Sequence, residues 1–512
     1  MAQVATIDSN ATGLRYCVED TIGVLPGSPI WKQLEPNSYS DFGGELSLVA
    51  RNPINDGRQR QKGVITDLDA SGGFEFDFVK DNLDEILEGA MFDDFVEKGV
   101  EVVTAVDTDS TNPDEYEVAS TTGFKVNDLI KGFGFTNSAN NALNLVTAIV
   151  ADTSVEVADG QLVAEASPPS DAYIAVVGVQ GAAGDIDVDA SGDLPVLTTS
   201  SLDFTTLGLE EGEFIYIGGD AAGTSFSTAA NNGFKRIRSI AANELTLDKS
   251  ESTMVTEAST TETVQIFFGK VLKNRTGTDI TRKTFQLERT LGAPDNASPS
   301  QIQSEYITGC VVNEFMLNIP TADKLMGEVS FIGLDNEQRT GATGVKSGTR
   351  PTLTAQDAYN TSSDFGQIKM ALVSDTNEAP TALFTYITEL NLTINNNLTA
   401  NKAVGVLGAI EITAGTFEVD AEITAYFNNV TAIEAVRNNS DVTIHAEVVK
   451  DNAGFVMDLP LIALGNGRLE VEQDEPITLP LDAQAAAANK IATTFNHTLC
   501  WTMFPYLPTA AG

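Results

Sequence analysis

The sequence predicts a mainly β protein: two tandem β-sandwich or barrel domains, each with one short helix, plus an inserted small all-β region. Three observations predict this. Apolar and polar residues alternate at period two along much of the chain, the pattern of strands with one buried face. Strand-like segments recur in the same order in the second half. The 512 residues are 42% hydrophobic, only 20% charged and include 25 Phe, enough for large cores and against disorder.

The elements follow from local patterns. ELNLTI at 389–394 places Leu390, Leu392 and Ile394 on one face. FEVDAEITAY at 417–426 places Phe417, Val419, Ala421, Ile423 and Ala425 on one face, and Glu418, Asp420, Glu422 and Thr424 on the other. GNG at 465–467 marks a turn. DNLDEILEGA at 81–90 spaces Leu83, Ile86, Leu87 and Ala90 as a helix, with Asp81 as its N-cap.

The repeat is ordered. ELSLVARN at 45–52 matches ELNLTINN at 389–396 (389 − 45 = 344), and GGFEFD at 72–77 matches GTFEVD at 415–420 (415 − 72 = 343). Asn82 and Ile86 match Asn429 and Ile433 (429 − 82 = 347). This predicts a duplicated β domain, the first copy from 1–100 and 265–345, the second from 346–512. The intervening 101–264 repeats too. GFKVNDLIKGFGF at 123–135 precedes Asn140-Asn141, and GLEEGEFIYIGG at 208–219 precedes Asn231-Asn232. Two modules are expected, about 101–168 and 190–264, separated by ASPPSD at 166–171. A flexible connector is expected at 341–357.

Charge excludes several functions. Lys plus Arg against Asp plus Glu is 30 − 72 = −42, with a pI near 4.1. Clustered cations are what hold nucleic acid and anionic membranes, so neither a genome coat nor a membrane binder is expected. Segment 101–264 has 6 basic and 26 acidic residues (6 − 26 = −20). The N-terminus MAQVATIDSN lacks the parts of a signal peptide and no apolar run is long enough to span a bilayer, so a soluble protein made in a cytoplasm is expected.

Catalytic, cofactor and metal motifs are absent. Cys17, Cys310 and Cys500 are far apart and form no CxxC. The two histidines are His445, read as a strand-surface residue in TIHAEV, and His497. DIDVDASGD at 185–193 and DTDSTNPDE at 107–115 fail as EF-hand loops. Ala190 and Asn112 replace the sixth-position Gly, and Val196 and Val118 the twelfth-position Glu. The same acids leave room for a looser surface Ca²⁺ or Mg²⁺ site. Arg51, Arg58, Arg60 and Lys62 cluster in one loop, and Lys270, Lys273, Arg275, Arg282, Lys283 and Arg289 in another stretch. They read either as solvated loops or as partners for acidic surfaces of a neighbouring subunit.

RYCVEDTIGVLPGSP at 15–29 resembles the N-terminal signature of phage tail tube (major tail) proteins. YITGCVVNEFMLNIP…LMGEVSFIGLDNE at 306–337, ELNLTINNN…GAIEITAGTFEVDAEITAYF at 389–427, VMDLPLIAL and EPITLPLDAQ are similar to that family's strand pairs, in family order. The resemblance implies a β-sandwich or barrel with a flanking helix, assembled into six-fold rings stacked as a tube. It implies a virion tail component assembled in the bacterial host cytoplasm, and leans towards a long non-contractile tail. Partners would be the chain itself and the tape-measure, terminator and distal tail proteins at the tube ends, with DNA passing unbound, no cofactor and no membrane insertion. Duplication gives 3 × 2 = 6 tube folds from a trimer, a pseudo-six-fold ring; six chains with one half outside the wall is the alternative. Glu75, Asp77, Glu418, Asp420 and Glu422 are the expected lumen-facing acids. Arg58, Arg60, Lys62 and Lys402, in loops 52–66 and 395–409, are the expected contacts between subunits or rings. The rival readings are a surface adhesin of stacked β modules and a halophile's soluble acidic protein.

Overall fold

The computed structural model describes residues 7, 12–54, 56–57, 60–80, 83–108, 113–292, 302–353 and 356–512. Arg58, Asp81, Asn82 and Asn112 therefore lie outside the described residues. The chain is mainly β, as its alternation predicts, with 49% strand. Among the described residues no helix is long and apolar enough to cross a membrane.

The chain opens with β1 (Gly13–Val18), β2 (Lys32–Leu34), β3 (Pro36–Arg51), β4 (Gln61–Asp77) and α1 (Asp84–Met91). Helix α1 buries Ile86, Leu87 and Ala90, the residues its spacing selects, and ends at Phe92 in the left-handed conformation.

The insertion follows. Its first module has β5 (Val100–Asp107), β6 (Glu115–Val118), β7 (Asp128–Phe133), β8 (Leu143–Val150), β9 (Ser154–Val157) and β10 (Tyr173–Gln180). They pair in the order β5-β6-β9-β8-β7-β10, and β10 pairs back onto β5, closing a six-stranded barrel. The closing strand lies beyond ASPPSD, so this module runs to Gln180. The second has β11 (Asp187–Asp189), β12 (Val196–Thr198), β13 (Phe214–Ile217), β14 (Gly233–Ala241), β15 (Glu244–Ser250) and β16 (Gln265–Phe267). Its order, β11-β12-β15-β14-β13-β16, repeats the first, with β16 paired to β10.

The Asn-Asn pairs explain why the sequence repeat is visible. Asn141 bridges both backbone groups of Phe135 at 3.0 and 2.9 Å; Asn232 does the same to Phe226 at 2.9 and 2.9 Å. Asn140 bridges both backbone groups of Val163, and Asn231 those of Val255. Each also donates to a carboxylate, Asn140 to Glu165 and Asn231 to Glu257. Both side chains are fully buried. Removing one strands its partners, a cost of about 1–3 kcal/mol. Asn231→Ala is expected to lower the urea midpoint of the insertion's unfolding accordingly; an unchanged midpoint would show that the bridge is dispensable.

The rest comprises β17 (Lys270–Lys273), β18 (Phe285–Gly292), β19 (Gln303–Ile319), β20 (Met326–Gly333), β21 (Asp335–Thr340), β22 (Phe365–Leu372), β23 (Ile387–Asn395), β24 (Thr399–Lys402), β25 (Ala409–Thr413), β26 (Glu418–Tyr426), α2 (Thr431–Arg437), β27 (Val442–Lys450), β28 (Ala453–Asn466), β29 (Thr478–Ala485) and β30 (Cys500–Phe504). Six pairings of the first half recur in the second. β1–β18, β3–β4, β4–β20, β18–β19, β19–β20 and β19–β21 correspond to β22–β27, β23–β26, β26–β29, β27–β28, β28–β29 and β28–β30. Two further pairings, β19–β23 and β17–β30, join the halves into one 16-stranded sheet. One core serves both, from Leu14 to Met503.

Two sequence expectations are corrected. His445 is buried, 4% exposed, with Phe214 of the insertion against its ring. The insertion covers the second face of β27, so both faces are buried and alternation no longer reports exposure. The connector at 341–357 is pinned rather than flexible over its described part. Arg350 binds the buried Glu288 at 2.6 and 3.0 Å, and the Lys346 N–H donates to the Tyr306 hydroxyl at 2.8 Å.

Candidate functional site

Strands β4, β20, β19, β23, β26 and β29 are neighbours, and residues in register across them share a face. One row reads Glu75, Glu328, Met316, Thr393, Asp420, Gln484. The next reads Asp77, Met326, Asn318, Asn391, Glu422, Asp482, and a third contains Glu314, Asn395 and Glu418. All five acids expected at a lumen thus fall on one face of one sheet. The alternate residues, Phe74, Phe76, Phe315, Leu392, Val419 and Ile423, are buried on the other face. Glu314, Glu328 and Asp482 were missed, although alternation in NEFMLNI, GEVSFIG and TLPLDAQA carries the signal.

This face is polar and mutually repelling. Partial burial, then the neighbouring Glu418, raises the Asp420 pKa above its ordinary value. Neutral partners hold other acids: the Ser38 hydroxyl donates to Glu75 at 2.9 Å and the Asn395 amide to Glu314 at 3.2 Å. Lys324, at the sheet's end, reaches Asp77 at 2.7 Å.

Two arms leave the sheet. Residues 45–51 and 61–66 of the β3–β4 hairpin are open to solvent on both faces, Leu48 at 69%, and Ile54 lies fully exposed beyond them. Arg60 and Lys62 sit exposed on this arm. The β24–β25 hairpin is the second arm, with Val404 fully exposed. Lys402 pairs within the chain, to Asp67 and Asp69 at 2.5 Å each, and so ties the arms together.

The other basic cluster is occupied internally. Lys270 pairs with Asp84, Lys273 with Glu210, Arg275 with Asp93 and Glu210, Lys283 with Glu88 and Asp94, and Arg289 with Glu305. Arg282 donates to the Ile412 carbonyl. These residues knit the insertion's return point and α1 to the body. A buried ionic group does the same elsewhere: Arg236 holds Asp248 at 2.6 Å and Asp458 at 2.9 Å, and Lys249 also pairs with Asp458.

One Asp-rich run serves structure. Asp185 accepts from Thr199, Ser200 and Ser201 side chains at 2.6–2.8 Å. In the other run, cross-strand register on β5 and β6 brings Asp107 and Glu115 together with Glu117, their oxygens within 4.8 Å.

No curated protein is similar enough to count as a match. The model of the family described as phage tail tube protein matches residues 9–485, spanning both halves and the insertion between them. With the duplicated sheet and its single acidic face, that match identifies the chain as a member of the phage tail tube protein family.

Proposed function

We propose that three copies of this chain close into a pseudo-six-fold ring, that rings stack into a tube, and that the acidic face lines a channel through which DNA passes. The observation that carries the reading is the β19–β23 joint together with two unpaired edges. On β19, β20 and β21 occupy one edge, while β18 and then β23 occupy the other. On the matching β28, β29 and β30 occupy one edge and β27 the other as far as Ile462, beyond which no strand among the described residues pairs with that edge. The strand matching β23 is β3, whose only partner strand among the described residues is β4. β28 of one chain therefore offers β3 of the next the same joint that β19 makes with β23 within the chain. Open sheet edges of this kind invite pairing.

Each joint adds two tube folds, so six close after three chains. The assembled ring is expected at 3 × 54.3 = 162.9 kDa by native mass spectrometry. Negative-stain images are expected to show rings and tubes with an open channel. A six-chain ring, or a chain that stays monomeric, would count against the reading.

A further inference from the structure

The exposed apolar arm and an acidic loop lie at opposite ends of the same sheet. β4 and β26 run in the same direction, being separated by three antiparallel neighbours. The β3–β4 arm projects from the end where β4 begins. The β28–β29 turn, 467–477, lies at the other end, where Thr478 pairs with Tyr426 as β26 closes. Residues 468–477 are exposed.

Their chemistry is complementary. The described residues of 48–65 include Arg51, Arg60 and Lys62 against Asp56 (3 − 1 = +2). Segment 467–477 holds Arg468 against Glu470, Glu472, Asp474 and Glu475 (1 − 4 = −3). Among the described residues none of Arg51, Arg60, Lys62, Glu470, Glu472, Asp474 or Glu475 lies in an ion pair. Both surfaces are also apolar: Leu48 69%, Val49 55% and Ile65 54% exposed on the arm, Val471 69%, Ile477 38% and Leu469 36% on the loop. A two-stranded arm with apolar residues bare on both faces is marginal alone and prone to nonspecific association.

We infer that the arm of one copy docks on the 467–477 loop of a copy in the adjacent ring, so that rings stack head to tail with one polarity. The occupant is a second copy of this chain. The inference rests on the tube reading above. Apolar contact holds the pair, while opposite charge rejects head-to-head stacking, which would set like charges together.

The test uses two charge-reversed full-length chains. One carries Glu470→Lys, Glu472→Lys and Glu475→Lys; the other carries Arg51→Glu, Arg60→Glu and Lys62→Glu. Each alone is expected to form rings of wild-type mass yet shorten tubes at least tenfold in negative stain. The chain carrying all six changes is expected to recover long tubes. Wild-type tube lengths from either single set, or rings without recovery in the combined chain, would overturn the docking while leaving the tube reading intact. A wild-type chain that forms neither rings nor tubes would overturn both.

Discussion

Oxidising assembled rings of a Ser40→Cys, Gly465→Cys chain is expected to yield a covalent trimer that neither single variant gives. The pair follows from register once Glu75 is matched to Glu422, at the offset that relates the starts of the two helices (431 − 84 = 347). Glu75 faces Glu328, which faces Met316, which faces Thr393 across the internal joint. The matching path runs from Glu422 to Asp482 to Gly465, whose other edge pairs with no strand among the described residues. Thr393 faces Asp420 on β26, as Ser40 faces Gly73 on β4. In the proposed joint, Ser40 of the next chain would thus face Gly465. Directly opposed residues hold Cβ atoms about 4.5–5.5 Å apart, close enough for a disulfide after small adjustment. A Cβ at Gly465 meets only ordinary contacts, 3.6 and 3.7 Å from Asp482. The native Cys17, Cys310 and Cys500 are buried, which keeps background oxidation low. Non-reducing gels are expected to show monomer, dimer and trimer, collapsing to monomer on reduction. A ladder reaching six chains would establish the hexameric ring instead, and its absence from intact rings would remove the β28–β3 joint.

The same register shows what period-two reading can and cannot find. Alternation placed Glu75, Asp77, Glu418, Asp420 and Glu422 on one side of their strands because each strand buries one face only. It is blind to shifts by an even number of residues. The match of ELSLVARN to ELNLTINN therefore set an arm strand against a core strand. Matching Asp420 to Gly73 (420 − 73 = 347) equates their partners Thr393 and Ser40, and leaves 45–51 as an arm with no buried face. Burial by a distant segment is equally silent in sequence. Nothing in TIHAEV announces that Phe214, 231 positions earlier (445 − 214 = 231), covers His445. The Asn-Asn pairs were legible for the opposite reason. Their partners lie nearby in each module, so the polar bridge constrains the local pattern twice over.

Placing lysines on the acidic face is expected to turn a passive channel into one that retains DNA. A tube must orient DNA without holding it, and phosphate neutralisation is the strongest route to holding it. Glu75→Lys with Glu422→Lys would put 3 × 2 = 6 lysines in each ring of the proposed trimer. Contact with about 6–10 phosphates changes affinity by about 10³–10⁵ between low and moderate salt, so six lysines per ring repeated along a tube exceed what diffusion can shed quickly. Both positions are exposed and point away from the buried Phe74, Phe76, Ala421 and Ile423, so folding and ring formation are expected to persist. Phage carrying the double variant are expected to adsorb normally but to release DNA at least tenfold more slowly. Isolated variant tubes are expected to retain DNA at low salt and lose it as salt rises. The neutral pair Glu75→Gln with Glu422→Gln separates causes: it removes repulsion without adding phosphate contacts, so its release rate is expected to stay close to wild type. Equal, wild-type release from both double variants would place this face on the outside of the wall, because charge of either sign there would never meet the DNA.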